Sequence, residues 1–304
     1  MAISTGSRSY VAYITETVAG TTPVTPAFKG VPFTGTTLNL TRGGISDPSL
    51  RSDRMKRYFR LGNRTVGGNI SVSYAPGTYD DFLEATCMGL WATNVLKVGT
   101  TVRTFSMEIG HLDVTQFRTF TGCAMGGLTL NVPSGNTLVT GEFEVMGMNG
   151  AIAATTLDSD STIDYAGTTG TPFVHLDATF LEGGVAIGYL TGVQVKIDNS
   201  LTVNYAAGSA GARAITSGMS LITGQVTAYF ESAALFAKWF AETATSLSFT
   251  LVSGAKSQAW LMPNVRYTAS TIPVSGDGPV IQTLTFEALF DAVTGTTLQI
   301  TRVP

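Results

Sequence analysis

Gly68-Asn69-Ile70-Ser71-Val72-Ser73-Tyr74 and Gly224-Gln225-Val226-Thr227-Ala228-Tyr229-Phe230 read as one strand written twice, 156 residues apart. In each, a glycine leads an alternation of polar and apolar side chains, the period of a strand buried on one face. Before them, Leu38-Asn39-Leu40 is answered by Val193-Gln194-Val195 at an offset of 155. After them, Tyr79, Phe82 and Leu83, joined by Leu90 at helical spacing, are answered by Phe236, Trp239 and Phe240 at an offset of 157. Asp80 and Asp81 suit the first turn of one helix, and Ser232 suits the N-cap of the other. The turns Ser134-Gly135-Asn136 and Ser275-Gly276-Asp277 then lead into Val139, Gly141, Phe143, Val145 and Val280, Gln282, Leu284, Phe286, now at an offset of 141, so a loop has been shortened. Self-similarity on this scale predicts two tandem domains. Residues 1–30 read as an N-terminal arm, 31–150 as the first domain, 151–183 as a linker and 184–304 as the second domain.

With 304 residues the chain is long enough for two such units, each with its own core. Only 13% of residues are charged and 34 are glycine. Threonine and valine recur in short alternating runs, which predicts a mostly β protein. With one helix lying on the strands of each copy, the class is β-rich α+β: two β-sandwiches or part-barrels, each with one flanking helix. A net charge of −3 excludes a basic nucleic-acid binder as the reading of the whole chain. So little charge on so much surface fits a protein that buries surface between subunits.

No stretch reaches the roughly 20 apolar residues of a membrane span, and no signal peptide is expected at the N-terminus. Cys87 and Cys123 stand in apolar surroundings and are expected to be buried thiols, consistent with folding in a cytosol. His111 and His175 are 64 residues apart, without the neighbours a zinc site needs. Nucleophile-elbow, Walker and dinucleotide fingerprints are missing; Gly208-Ser209-Ala210-Gly211 lacks the leading glycine. Asp158-Ser159-Asp160 lacks the glycine and distal glutamate of a calcium loop and reads as polar linker. The expectation is no enzyme, no metal and no cofactor.

One segment departs from the low charge. Between Arg42 and Arg64 lie seven of the 18 basic residues against Asp47 and Asp53, a local charge of +5 that leaves −8 on the rest. Such a loop can bind nucleic acid, or it can dock on the acidic body of another copy in a head-to-tail contact that propagates. Arg51, Arg54, Lys56, Arg57 and Arg60 would make the charged contacts, the arginines as forks for carboxylates, with Tyr58 and Phe59 as apolar anchors. The matching excursion, residues 199–218, carries only Arg213 and is expected to pack passively. In the strand at Val139, alternation sets Glu142 and Glu144 on one face and Phe143 and Val145 on the other.

The doubled β-rich unit with its helix, its long loop between the first two strands and its arm resembles the major tail tube proteins of long-tailed bacteriophages. The resemblance runs from Leu38-Asn39-Leu40 through the strand at Val280. It implies β-sandwich domains whose inner strands close a barrel in a ring, with stacked rings forming the conduit for phage DNA. Two domains in one chain imply homotrimeric, pseudo-hexameric rings. Arg51 to Arg60 would carry ring-to-ring stacking, and Glu142 and Glu144 would face a lumen through which double-stranded DNA passes without specific binding. The implied partners are the chain itself and tape-measure, tail terminator and tail-tip proteins; the implied location is the virion tail, assembled in the host cytoplasm. The alternatives are a terminator or hub ring of the same fold, and a tandem β-sandwich module that binds carbohydrate or protein.

Overall fold

The alternating runs form strands, and the strands pair in the same order in each half of the chain. In the computed structural model, which describes residues 3–168, 170–187, 189–274 and 276–304, the first half begins with β1 (Ser9–Thr15), β2 (Lys29–Val31), β3 (Gly35–Thr36), β4 (Asn39–Ser46) and β5 (Phe59–Ser73). After α1 (Asp80–Thr86) come β6 (Val95–Lys97), β7 (Phe105–His111), β8 (Gln116–Val132), β9 (Thr140–Gly147) and β10 (Asn149–Ala153). The second half holds β11 (Ala178–Glu182), β12 (Val185–Ala186), β13 (Leu190–Asp198), β14 (Thr202–Tyr205), β15 (Ala212–Thr216) and β16 (Leu221–Tyr229). It continues through α2 (Ala234–Phe240) to β17 (Thr245–Ser253), β18 (Lys256–Thr271), β19 (Ile281–Ala288) and β20 (Gln299–Val303).

The first half pairs β4–β5–β9–β8–β7–β1–β2, all antiparallel. The second pairs β13–β16–β19–β18–β17–β11–β12, also antiparallel. Their irregularities match as well: a register shift between Met125 and Gly127 in β8 has its likeness between Tyr267 and Ala269 in β18. Each shift adds local twist where a long strand bends from one layer of the sandwich into the other.

The two glycines that head the quoted strands are required by close approach. A Cβ on Gly68, whose φ is +150°, would come within 2.6 Å of the Leu38 backbone, and one on Gly224 within 2.2 Å of the Gln194 carbonyl oxygen. Register also corrects the match between the first strands. Asn39 stands opposite Gly67 and Lys196 opposite Thr223, so Asn39 corresponds to Lys196, at an offset of 157 instead of 155. A slip of two leaves every side chain on its expected face, which is why alternation alone could not detect it.

Beyond its bend, β8 pairs with β9 on one edge and with β13 on the other. The two halves therefore share one run of eight strands, β4–β5–β9–β8–β13–β16–β19–β18, which is open within the chain. Beneath it, Ile70, Phe143, Leu128, Ile197 and Ile222 face one another in register, each at most 1% exposed. At roughly 1.5–3 kcal/mol per buried side chain of this size, the seam between halves is part of the core. The Tyr74 hydroxyl, donating to the Gln258 side-chain carbonyl at 2.6 Å beside Trp260, joins the halves beneath the sheet.

The helices depart from expectation unequally. Helix α1 buries Phe82 and Leu83 as its spacing predicts, but ends before Leu90, which is exposed. On α2 only Leu235 is fully buried; of the stripe expected to face the sheet, Trp239 packs against the core, while Phe236 and Phe240 are open to solvent, Phe240 at 77%. Ala233, not Ser232, occupies the N-cap of α2. Residues 1–30 contribute β1 and β2, which pair with β7 and with each other. The 151–183 segment ends in β11, which lies on β17. Ser275, in the turn expected before β19, lies outside the described residues.

Candidate assembly surfaces

The exposed face of the eight-stranded run is built from side chains that alternate with the core. One row reads Ser71, Glu142, Thr129, Lys196, Thr223, Glu287 and Arg266, each opposite the next across seven strands. A second row sets Asn69 opposite Glu144, then Gly127 and Asp198. Glu142 and Glu144 are exposed between buried Phe143 and Val145, and the Asn69 side-chain amide donates to Glu142 Oε1 at 2.7 Å. These rows hold four carboxylates against Lys196 and Arg266, among hydroxyls and amides. Such a wall is wet and mildly negative; it offers no cationic track for a phosphate backbone.

The run ends in two strand edges that are open among the described residues. β4 pairs only with β5, and the end of β18, past Thr268, pairs only with β19. The outer edge of β4 is met by the Arg118 guanidinium, 3.4 Å from the Leu38 carbonyl oxygen. Unpaired edges in a β-rich chain are templates for further pairing.

The basic excursion is an extended hairpin. β4 and β5 stay paired out to Ser46 and Phe59, and residues 47–58 form the tip. The site residues singled out in the sequence, Arg51, Arg54, Lys56, Arg57, Tyr58, Phe59 and Arg60, are all exposed. Arg57 pairs with Asp53, and the Lys56 ammonium stands 5.5 Å from the centre of the Phe59 ring. Leu50 and Met55 are also exposed at the tip, at 99% and 70%. Cationic and apolar groups thus share one surface, the composition of an interface more than of a solvated loop.

The second excursion, β14 and β15, lies against the root of this hairpin. The Arg64 backbone N–H donates to the Ala210 carbonyl at 2.7 Å, and Ala212 N–H donates to the Met148 carbonyl at 3.0 Å. The Tyr205 hydroxyl donates to the Arg64 carbonyl at 2.8 Å and lies 3.1 Å from the Thr65 hydroxyl. Sequence composition had no means of showing this contact, because it is made largely by backbone groups, those of Arg64, Met148, Ala210 and Ala212.

Clusters of titratable groups elsewhere serve packing. A cavity of about 360 Å³ is lined by Asp80, Asp81, Asp164 and Lys29. Burial holds the Asp80 carboxyl above its ordinary range, partly offset by the Arg302 guanidinium that bonds it; Arg302 also lies 4.1 Å over the Trp91 ring. Asp81 accepts from the Tyr13 hydroxyl and from Lys29. Glu182 accepts from Lys238 at 2.6 Å, fastening α2 to β11 much as Tyr13 of β1 fastens α1. Buried Asp158 accepts from the Phe28, Asp160 and Thr162 backbone N–H groups. Burial raises its carboxyl, but these bonds outweigh burial and hold it below the ordinary range. Burial pushes the Cys87 thiol up to about 12 and the Cys123 thiol higher still; both are free. Among the described residues there is no group of three His, Cys, Asp or Glu placed to hold a metal ion, and no helix long and apolar enough to cross a membrane.

Over residues 6–288 the sequence matches the family described as phage tail tube protein. No curated protein matches the chain.

Proposed function

Because the chain belongs to the phage tail tube protein family, a family of structural virion proteins, we propose that it is the repeating subunit of a siphophage-type tail tube, built from two tandem copies of one tube domain. The tandem origin is supported by the shared pairing order and the matching register shifts of the two halves. The observation that carries the reading is the open, continuous run of eight strands, dry beneath and mildly negative on its free face. Three chains in a ring would close twenty-four such strands, a barrel roughly 40–50 Å between opposite backbones at ~4.8 Å per strand and a tilt of roughly 40°. Eight strands alone would fill their interior with side chains; three times as many leave a bore for a DNA duplex. Glu142 and Glu144 on that wall repel phosphates, so DNA slides without being held.

Stacking of rings would fall to the basic hairpin, with Arg51, Arg54, Lys56, Arg57 and Arg60 meeting carboxylates of the next ring and Tyr58 and Phe59 anchoring the contact. The tape-measure, terminator and tail-tip proteins are the partners this role requires. Electron microscopy of the purified chain, with symmetry from end-on views, tests the reading. Hollow stacked rings of three chains are expected. Monomers at every concentration and salt would overturn it, and single rings that never stack would point to a hub or terminator.

A further inference from the structure

The seam inside the chain has a vacant likeness at its two ends. Asn39 corresponds to Lys196, since they oppose the matching residues Gly67 and Thr223. Lys196 pairs with Thr129, which pairs with Glu142. The residue matching Glu142 in the second half is Thr283, and it pairs with Thr271. We propose that β4 of one chain adds to the free edge of β18 of a second copy in the register of the internal β13–β8 seam, Asn39 facing Thr271 and Leu40 facing Ser270 of the neighbour. This rests on the ring reading above and specifies which strand edges make the ring and how they align.

Backbone direction supports the pairing. Thr37 N–H donates inward, to the Asn69 carbonyl of β5, so by alternation the Leu38 and Leu40 peptide groups point to the outer edge of β4, where the neighbouring strand would take the Leu38 carbonyl from the Arg118 guanidinium. On β13 the matching positions are Val195 and Ile197, and the Asn199 N–H, two residues on, donates to the Gly126 carbonyl of β8. The hydrogen-bonding edges are therefore in phase. Pro273 does not interfere, because alternation turns its nitrogen toward β19 and away from the seam.

A second observation, from side chains, agrees. Inside the chain, the β14–β15 hairpin lies against Arg64, Thr65 and Met148 across the β13–β8 seam. Leu221 and Leu289 match Thr65 and Met148 in the second half. With Met219 and Phe290 they form an apolar patch left bare, Met219 at 76% and Phe290 at 64% exposed. In the proposed register the paired part of the neighbour's β4–β5 hairpin, with Ile45 and Leu61 exposed on it, reaches this patch. The same hairpin then presents its basic tip beyond the seam.

The test mixes two full-length chains with one introduced cysteine each, N39C and T271C, under mild oxidation; the native Cys87 and Cys123 are buried and do not compete. Facing residues at a non-hydrogen-bonded pair lie within disulfide reach. A covalent heterodimer from this mixture is expected, with its loss when T271C is replaced by A269C, two residues out of register. Both positions are exposed, so folding is unaffected. Leu221→Asp should abolish crosslinking while leaving the melting curve of the monomer unchanged. Rings seen by microscopy without the N39C–T271C crosslink, or with the A269C pair linking equally well, would overturn the seam and leave the ring reading standing. Absence of wild-type rings would overturn the ring reading itself.

Discussion

The Tyr205 hydroxyl donates to the Arg64 carbonyl at 2.8 Å, so the hairpin of the second half is fastened to the root of the basic hairpin in the first. Tyr205→Phe removes this donor at an exposed site and should cost about 0.5–1.5 kcal/mol in denaturant unfolding. Amide exchange at Arg64, whose N–H bonds the Ala210 carbonyl, should accelerate while that of the buried strands is unchanged.

The tip of the basic hairpin touches little of its own body. Arg54, Arg57 and Arg60 replaced together by Glu should therefore change stability by no more than about 0.5 kcal/mol each. The expected loss is in length: rings form, but tubes do not elongate under the microscope. Tubes of normal length from this variant would remove the hairpin from the stacking contact.

Glu142 and Glu144 stand in solvent on the polar face. Glu142→Lys with Glu144→Lys should leave rings and tubes intact but slow DNA release from assembled particles, more at low salt than at high, because cations on a bore retain phosphates and salt screens them. Unchanged release would place these residues off the DNA path.

Arg302→Ala strips Asp80 of its ion pair and Trp91 of its cation, freeing the last strand from the helix of the other half. The loss should be about 2–4 kcal/mol near neutral pH. The folded-state pKa of Asp80 is already raised, chiefly by burial. Its charged form thus opposes folding above the ordinary carboxylate value, and protonation relieves that opposition. The deficit of the variant should shrink as pH falls toward about 4, as thermal melts across pH would show.

Asp158 fastens the linker to the strand that begins at Lys29 through the Phe28 N–H, at 2.6 Å. Asp158→Ala leaves that buried donor without its acceptor, a cost of about 1–3 kcal/mol. Because the Asp158 carboxyl is held below its ordinary range, its stabilisation is complete above that range and is lost as pH falls through the folded value. The wild type and the variant should therefore converge in stability only in strong acid.

Alternation and self-similarity made much of this molecule legible. The motifs headed by Gly68 and Gly224 located the matching strands, and the spacing of Phe82 and Leu83 located α1, because a buried face imposes its period on the sequence wherever it occurs. The same periodicity was misleading at α2, where Phe236 and Phe240 repeat the helical spacing but face solvent. A stripe of apolar residues records that a surface is to be covered and says nothing of what covers it.

The sequence by itself determined the β-rich class, the concentration of basic side chains between Arg42 and Arg64 and the alternation of Glu142 and Glu144 with Phe143 and Val145. Only the tertiary structure decided that β13 joins β8, that Asn39 corresponds to Lys196 and not Gln194, that Arg302 closes on Asp80, and that Tyr205 reaches Arg64. The physical reason is that burial is a property of single positions and leaves its mark on each of them. Strand partnership is made by peptide groups that every residue shares, so a partner, or a slip of two residues, leaves no trace until the chain is folded.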